Sequence, residues 1–112
     1  MIKKQFVKSR KVAKVTFELT QAELPAGAKA DSVVVVGEFN NWDPAASPMT
    51  YSKRKKAFWV TLELEPGRAY QFRYFVDNEL WCNDWQADAF IPSGMGQDNC
   101  VVVAPVGPES AG

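Results

Sequence analysis

The residues best suited to chemistry in this chain are four tryptophans, Trp42, Trp59, Trp81 and Trp85, set among amides and arginine. Trp42 lies in a polar turn beside Asn40 and Asn41. Trp59 lies on the polar side of an alternating run, and Trp81 and Trp85 fall in a polar, acidic stretch. A small β domain buries few indoles. Several of these rings are therefore expected at the surface, where flat aromatic faces mark contact sites. The alternative is that they close the open ends of a sandwich. A flat ring beside Asn, Gln and Arg suits a ligand with an apolar face and a polar rim. A glucose ring is such a ligand: its axial C–H groups stack on an indole and its hydroxyls reach amide or guanidinium groups. Nucleobases stack on the same platforms but also need a cationic groove along the backbone.

Composition narrows the chemistry further. The chain has no histidine, which removes Ser-His-Asp and Cys-His nucleophile systems and any zinc site built on imidazole. Thirteen basic and thirteen acidic residues cancel, but unevenly. All thirteen basic residues lie at or before Arg73 with seven acidic ones, giving +6, and the remaining six acidic residues follow it, giving −6. An acidic C-terminal third that carries two of the tryptophans argues against nucleic acid. Lys53-Arg54-Lys55-Lys56 resembles a nucleic-acid patch but reads more simply as a solvated turn between strands. Glu79, Asp84 and Asp88 could be imagined as paired glycosidase carboxylates, yet no pattern sets two of them across a cleft. Cys82 and Cys100 fit no metal or disulfide framework and are expected as reduced thiols. The first fourteen residues carry six Lys/Arg and no apolar run, and the longest aliphatic run is Val33–Val36. Neither a secretory leader nor a membrane span is expected, and the location expected is cytoplasmic.

The elements that must hold these side chains are strands. With 46% hydrophobic and 23% charged residues in 112, the chain is sized for one domain with a true core. Val12 to Leu19 alternates, with Val15, Phe17 and Leu19 on one face. Val33 to Val36 reads as a central strand, and Met49 to Ser52 as a short one. Phe58, Val60, Leu62 and Leu64 alternate with Trp59, Thr61 and Glu63. Tyr70, Phe72, Tyr74 and Val76 alternate with Gln71, Arg73 and Phe75. A five-residue loop, Glu65 to Ala69, predicts a hairpin between these last two strands. Leu62 would face Phe72, Val60 face Tyr74, Thr61 face Arg73 and Trp59 face Phe75. Leu80-Trp81 follows a tight turn, Asn83 to Gln97 reads as irregular, and Cys100 to Ala104 as a closing strand. Residues 1–11 are expected as a basic, mobile N-terminal segment, 12–104 as the folded module and 105–112 as a disordered tail. Short strands separated by turn signals predict an all-β, immunoglobulin-like β-sandwich of about seven antiparallel strands.

Three stretches together carry a resemblance. They are Val35-Val36-Gly37-Glu38-Phe39-Asn40-Asn41-Trp42-Asp43-Pro44, then Phe58 through Gly67, then Tyr70-Gln71-Phe72-Arg73-Tyr74-Phe75-Val76-Asp77. In that order they resemble the isoamylase N-terminal (early set) domain, the family 48 carbohydrate-binding module, found also as the glycogen-binding domain of the AMP-activated protein kinase β subunit. The resemblance runs from about Val12 to Val103. It implies an early-set sandwich that binds α-1,4-linked glucan on one face without catalysis or cofactor. It further implies that Trp42 and Trp81 grip the sugar and that Arg73, in place of a lysine, hydrogen-bonds hydroxyls. Met95 stands where a leucine enters the curve of the glucan, and Gln97 and Asn99 stand at a threonine and an asparagine. Trp59 and Trp85 have no counterpart among those contacts; Trp59 against Phe75 reads either as an added sugar platform or as a protein contact. The expected partner is an α-glucan oligosaccharide or polymer. The other reading keeps the fold but gives its aromatic face to protein contact, docking a glycogen-metabolism enzyme or a second copy.

Overall fold

A computed structural model describes residues 2–84, 86–92 and 98–106. Nine strands run in chain order: β1 (Ile2–Val7), β2 (Val12–Thr20), β3 (Val33–Gly37), β4 (Thr50–Ser52), β5 (Ala57–Leu64), β6 (Ala69–Val76), β7 (Leu80–Cys82), β8 (Ala89–Pro92) and β9 (Asp98–Val103). They form two antiparallel sheets. Sheet A has the order β1-β2-β5-β4. Sheet B has the order β3-β6-β9-β8, with β7 also pairing β6. Two three-residue 3₁₀ turns are the other regular elements of the described residues, and none of their helices is long and apolar enough to cross a membrane.

The alternating sets meet between the sheets. Ala13, Val15, Phe17 and Leu19 from β2, Phe58 and Leu64 from β5, Val33 and Val35 from β3, Phe72, Tyr74 and Val76 from β6 and Val102 from β9 form one buried cluster. Phe17 and Phe72 meet edge to face, with centroids 5.1 Å apart. The inward parity expected for each strand therefore holds, and with it the outward parity of Trp59 and of Arg73.

The expected β5–β6 hairpin does not form. Strand β5 pairs with β2 and β4, whereas β6 pairs with β3, β7 and β9. The Glu65–Arg68 connection is an arch between sheets, so the two apolar faces oppose each other across the core instead of lying side by side. Its holding contacts come from outside a hairpin. The Gly67 N–H donates to the Ala104 carbonyl at 3.0 Å, the Ala104 N–H to the Arg68 carbonyl at 2.9 Å, and the Glu65 N–H to the Tyr70 hydroxyl at 3.0 Å. Gly67 takes a positive φ of 79° there, which glycine adopts without strain. Trp59 consequently faces Glu18 and Thr50 on sheet A, not Phe75.

Two further expectations are corrected. Residues 2–7 are not a loose basic segment but strand β1, paired with β2 from Ile2↔Phe17 to Val7↔Val12. Residues 89–92 are not irregular but strand β8, paired with β9. Both are edge strands. Lys4, opposite the inward-facing Val15, leaves β1 toward the core side, and its Nζ reaches Asp88 Oδ2 at 2.6 Å, just before β8. An inward-pointing charge of this kind discourages edge-to-edge pairing with other chains. The basic groups are sorted as well. Strands of sheet A and their turns carry Lys3, Lys4, Lys8, Lys11, Lys14, Lys53, Lys55 and Lys56, and no strand of sheet B contains a lysine. The greater part of the 105–112 tail lies outside the described residues.

Candidate functional site

The turn that presents Trp42 is built by its neighbours. Gly37 closes β3 where a Cβ would stand 2.6 Å from the Gln71 carbonyl oxygen and 2.8 Å from Phe72 Cβ, so only glycine fits. Phe39 turns into the core, 5.5 Å from Phe17 and 5.9 Å from Tyr70 between centroids. Asn40 is the hub. Its Oδ1 accepts from the Gly37 N–H at 3.1 Å, and its Nδ2 donates to the Val35 carbonyl at 3.1 Å and to Ser47 Oγ at 3.0 Å. The chain then passes through left-handed backbone at Asn41 and Trp42, both at φ 58°, and the Trp42 N–H returns to the Gly37 carbonyl at 2.8 Å. The result is an exposed indole, 37% accessible, on an anchored backbone at the end of β3. Gly37, Phe39 and Asn40 make the turn; Trp42 is what the turn displays.

The second tryptophan is placed by β7. Asp77 ends β6, and its carboxylate accepts four backbone N–H groups, from Lys29, Ala30, Asp31 and Ser32, at 2.7–3.1 Å. This fixes the loop before β3 and the turn into β7 with one side chain. Partial desolvation raises the carboxyl pKa, but the N–H donors of Ala30, Ser32, Asp31 and Lys29 together outweigh it and hold the group below the ordinary carboxylate range. A depressed folded pKa stabilises the fold above the unfolded value, near ~4, and that contribution fades as pH falls through the folded value. Asp77→Asn is therefore expected to lower the urea midpoint at pH 7 and to flatten the loss of stability between about pH 5 and pH 2. Urea titrations of both proteins across that range check it.

Beyond the turn, Trp81 stands opposite Phe75 on the outer face of sheet B. Their rings lie 4.4 Å apart at 32°, and Trp81 remains 41% accessible. Arg73, two residues along β6, sets its guanidinium carbon 5.9 Å from the Trp81 ring centroid. Two residues further, Gln71 Oε1 accepts from Asn99 Nδ2 at 3.0 Å. Gln71, Arg73 and Phe75 share one side of β6, so a phenyl-backed indole, a guanidinium and an amide pair follow one another over roughly 13 Å of strand. Such a surface offers one broad apolar plate and then donors and acceptors in a row.

The structure thus brings Arg73, Trp81 and Asn99 onto one face and puts Trp42 at the end of the adjoining strand. Met95, Gln97 and Trp85 lie outside the described residues. Gln71 was not singled out from the sequence, although the alternation of β6 already set it beside Arg73, and Phe75 was expected against Trp59, whereas it lies against Trp81. Ile91, 41% accessible and opposite Asn99, extends the same face, and its uniformly exposed strand gave no signal.

Two of the three acidic residues considered for catalysis, Asp84 and Asp88, have other work. Asp84 is fully buried: its Oδ2 accepts from the Tyr74 hydroxyl at 2.7 Å and its Oδ1 from the Gln86 N–H at 2.7 Å. Asp88 Oδ2 accepts from the Val103 N–H at 2.7 Å and pairs with Lys4. Neither faces a cleft with a second carboxylate. Burial pushes the Cys82 thiol up to about 12 and the Cys100 thiol up to about 11, so both stay protonated and unreactive at neutral pH.

A family model described as the glycogen recognition site of AMP-activated protein kinase matches residues 26–105. The chain belongs to that family. The family is one of non-catalytic carbohydrate-binding modules, and the match takes in Trp42, Arg73, Trp81 and Asn99 together with the whole of sheet B. Strands β1 and β2 precede the matched stretch, although β2 lies between β1 and β5 within sheet A. No individual curated protein matches this glycogen-recognition module.

Proposed function

We propose that the module holds α-1,4-linked glucan, of the glycogen or starch type, on the outer face of sheet B. The observation that carries this reading is the Trp81 plate, backed by Phe75 and flanked by Arg73 and the Gln71–Asn99 amide pair. Trp81 and Trp42 stack the apolar faces of glucose units; Arg73 and Asn99 hydrogen-bond hydroxyls. Met95 and Gln97 are read as further contacts only from the resemblance. Each indole covers about 80–100 Å² of sugar, contributing about 2–2.5 kcal/mol at ~25 cal/mol/Å². Hydroxyl hydrogen bonds exchange with water and add roughly 1 kcal/mol each. Lost ligand freedom takes several kcal/mol back, leaving a dissociation constant of ~0.1–1 mM for a short oligosaccharide. Useful retention on a polymer then comes from many chain ends and many modules.

The test is migration through a native gel cast with glycogen. The protein should be slowed, and Trp42→Ala or Trp81→Ala should each run measurably faster than the native chain. An unslowed protein at every glycogen load would replace this reading with the other one, an aromatic face that docks a glycogen-metabolism enzyme or a second copy. Reducing sugar should not be released from amylopectin in the same incubation.

A further inference from the structure

Among the described residues, Trp59 is the exposed indole that the sheet B site does not use. It projects from β5, an inner strand of sheet A, and is 38% accessible. Its cross-strand neighbours are Glu18 on β2 and Thr50 on β4. Two residues along β5, Thr61 shares a hydroxyl–hydroxyl hydrogen bond of 2.7 Å with Thr16. Glu18 lies low in the face under two lysines, with Lys3 Nζ at 3.1 Å and Lys55 Nζ at 3.5 Å from its Oε2. The core needs nothing from this ring, because Phe58 and Val60 already face inward on either side of it.

We propose that Trp59 is a second glucan platform, on the side of the sandwich opposite Trp81, so that one molecule holds two glucan chains at once. The inference rests on the sugar-binding reading of the sheet B face and extends it. The surroundings of the ring choose the ligand. A protein contact of any strength centres on several apolar side chains that exclude water together. Here a single indole stands among hydroxyls, a carboxylate and ammonium groups, which is the arrangement a single pyranose ring requires: one plate and a rim of donors and acceptors. Geometry sets the consequence. The sheets of a sandwich lie roughly 10 Å apart and both indoles leave them outward. The whole core separates the two plates, and a short oligosaccharide on one does not touch the other. Two weak sites on opposite faces cannot strengthen the hold on one straight segment. They bridge neighbouring chains of a branched polymer.

The experiment follows the indole N–H signals of the full chain by ¹H–¹⁵N NMR, assigned by single Trp→Phe variants, during titration with maltoheptaose. The ligand is taken to about 20 mM, above the ~0.1–1 mM expected for one plate and its hydrogen bonds. The Trp59 signal should move along a saturation curve of its own. Trp59→Thr, which suits a strand as well as tryptophan does, should abolish the clouding of amylopectin by the protein while the Trp81 signal still moves. A Trp59 signal that stays still while Trp81 moves overturns this inference and leaves the sheet B reading standing. If neither moves, both fall. If Trp59 alone moves, the sheet B reading falls and the holding of two chains by one molecule falls with it. Clouding unchanged in Trp59→Thr overturns the bridging role. A dimer seen by sedimentation equilibrium in the native protein and lost in Trp59→Thr assigns the face to a second copy and overturns it as well.

Discussion

Trp81→Ala is expected to weaken maltoheptaose binding by about 30- to 60-fold, the conversion of about 2–2.5 kcal/mol of lost stacking. The variant removes the outer plate and leaves Phe75 beneath it, a smaller ring without the indole N–H. It also deprives Arg73 of the ring beside its guanidinium. Folding should be little affected, because the indole is already 41% accessible and packs on one ring. Isothermal titration with maltoheptaose in a Trp59→Thr background, alongside a thermal melt of each protein, separates the two effects. Affinity within threefold of that background would move the sugar away from this face. A melt lowered by more than the change in surface contact explains would instead show that Trp81 is structural.

Tyr74→Phe is expected to cost about 2 kcal/mol of stability, within the ~1.5–3 range of hydrogen bonds to charged groups. The melting temperature should fall by roughly 10 °C. The substitution deletes one oxygen and no carbon, so packing is held constant. What it removes is the hydroxyl that donates to Asp84 Oδ2, at a site where both residues are inaccessible to water. Burial, reinforced by the negative charge of Asp84, pushes the Tyr74 phenol well above its ordinary pKa, so the donor is present at every practical pH. Tyr51→Phe is the control. Its hydroxyl accepts from Gln21 Nε2 at 3.2 Å on the surface, and its loss should change stability by less than about 0.5 kcal/mol. Chemical denaturation of the three proteins checks the pair; equal stabilities for Tyr74→Phe and the native chain would mean that the buried carboxylate finds another donor.

The faces of the strands were legible and their partners were not. Period-two alternation in β2, β5 and β6 places Phe17, Val60 and Tyr74 inward and Arg73 outward whatever the strands pair with. Alternation says nothing about whether two inward faces lie side by side or across a core. The Glu65–Arg68 loop suits both, and the contacts that decide for the arch come from Ala104, far away in sequence. Strand β1 was illegible because its inward position 4 is a lysine, spent on Asp88 instead of the core. Strand β8 was illegible because all four of its residues are exposed, which erases the alternation. At the site, the Gly37–Trp42 motif was visible as a pattern, but the pattern does not divide turn-builders from ligand contacts. The hydrogen bonds of Asn40 do. The backing of Trp81 by Phe75 needed the β6–β7 pairing, which sequence spacing alone does not supply.

The sorting of lysines between the two sheets decides how the molecule settles on a solid support. Amine-reactive resins and sensor chips would seize it chiefly by sheet A and its turns, which carry eight of the nine lysines; the ninth, Lys29, lies in the loop before β3, and no strand of sheet B offers a primary amine. Immobilised that way, the protein would hold Trp81 and Arg73 toward the flowing solution and press Trp59 against the matrix. On the proposed reading, a chip so prepared would register mainly the sheet B event, whatever the number counted in free solution.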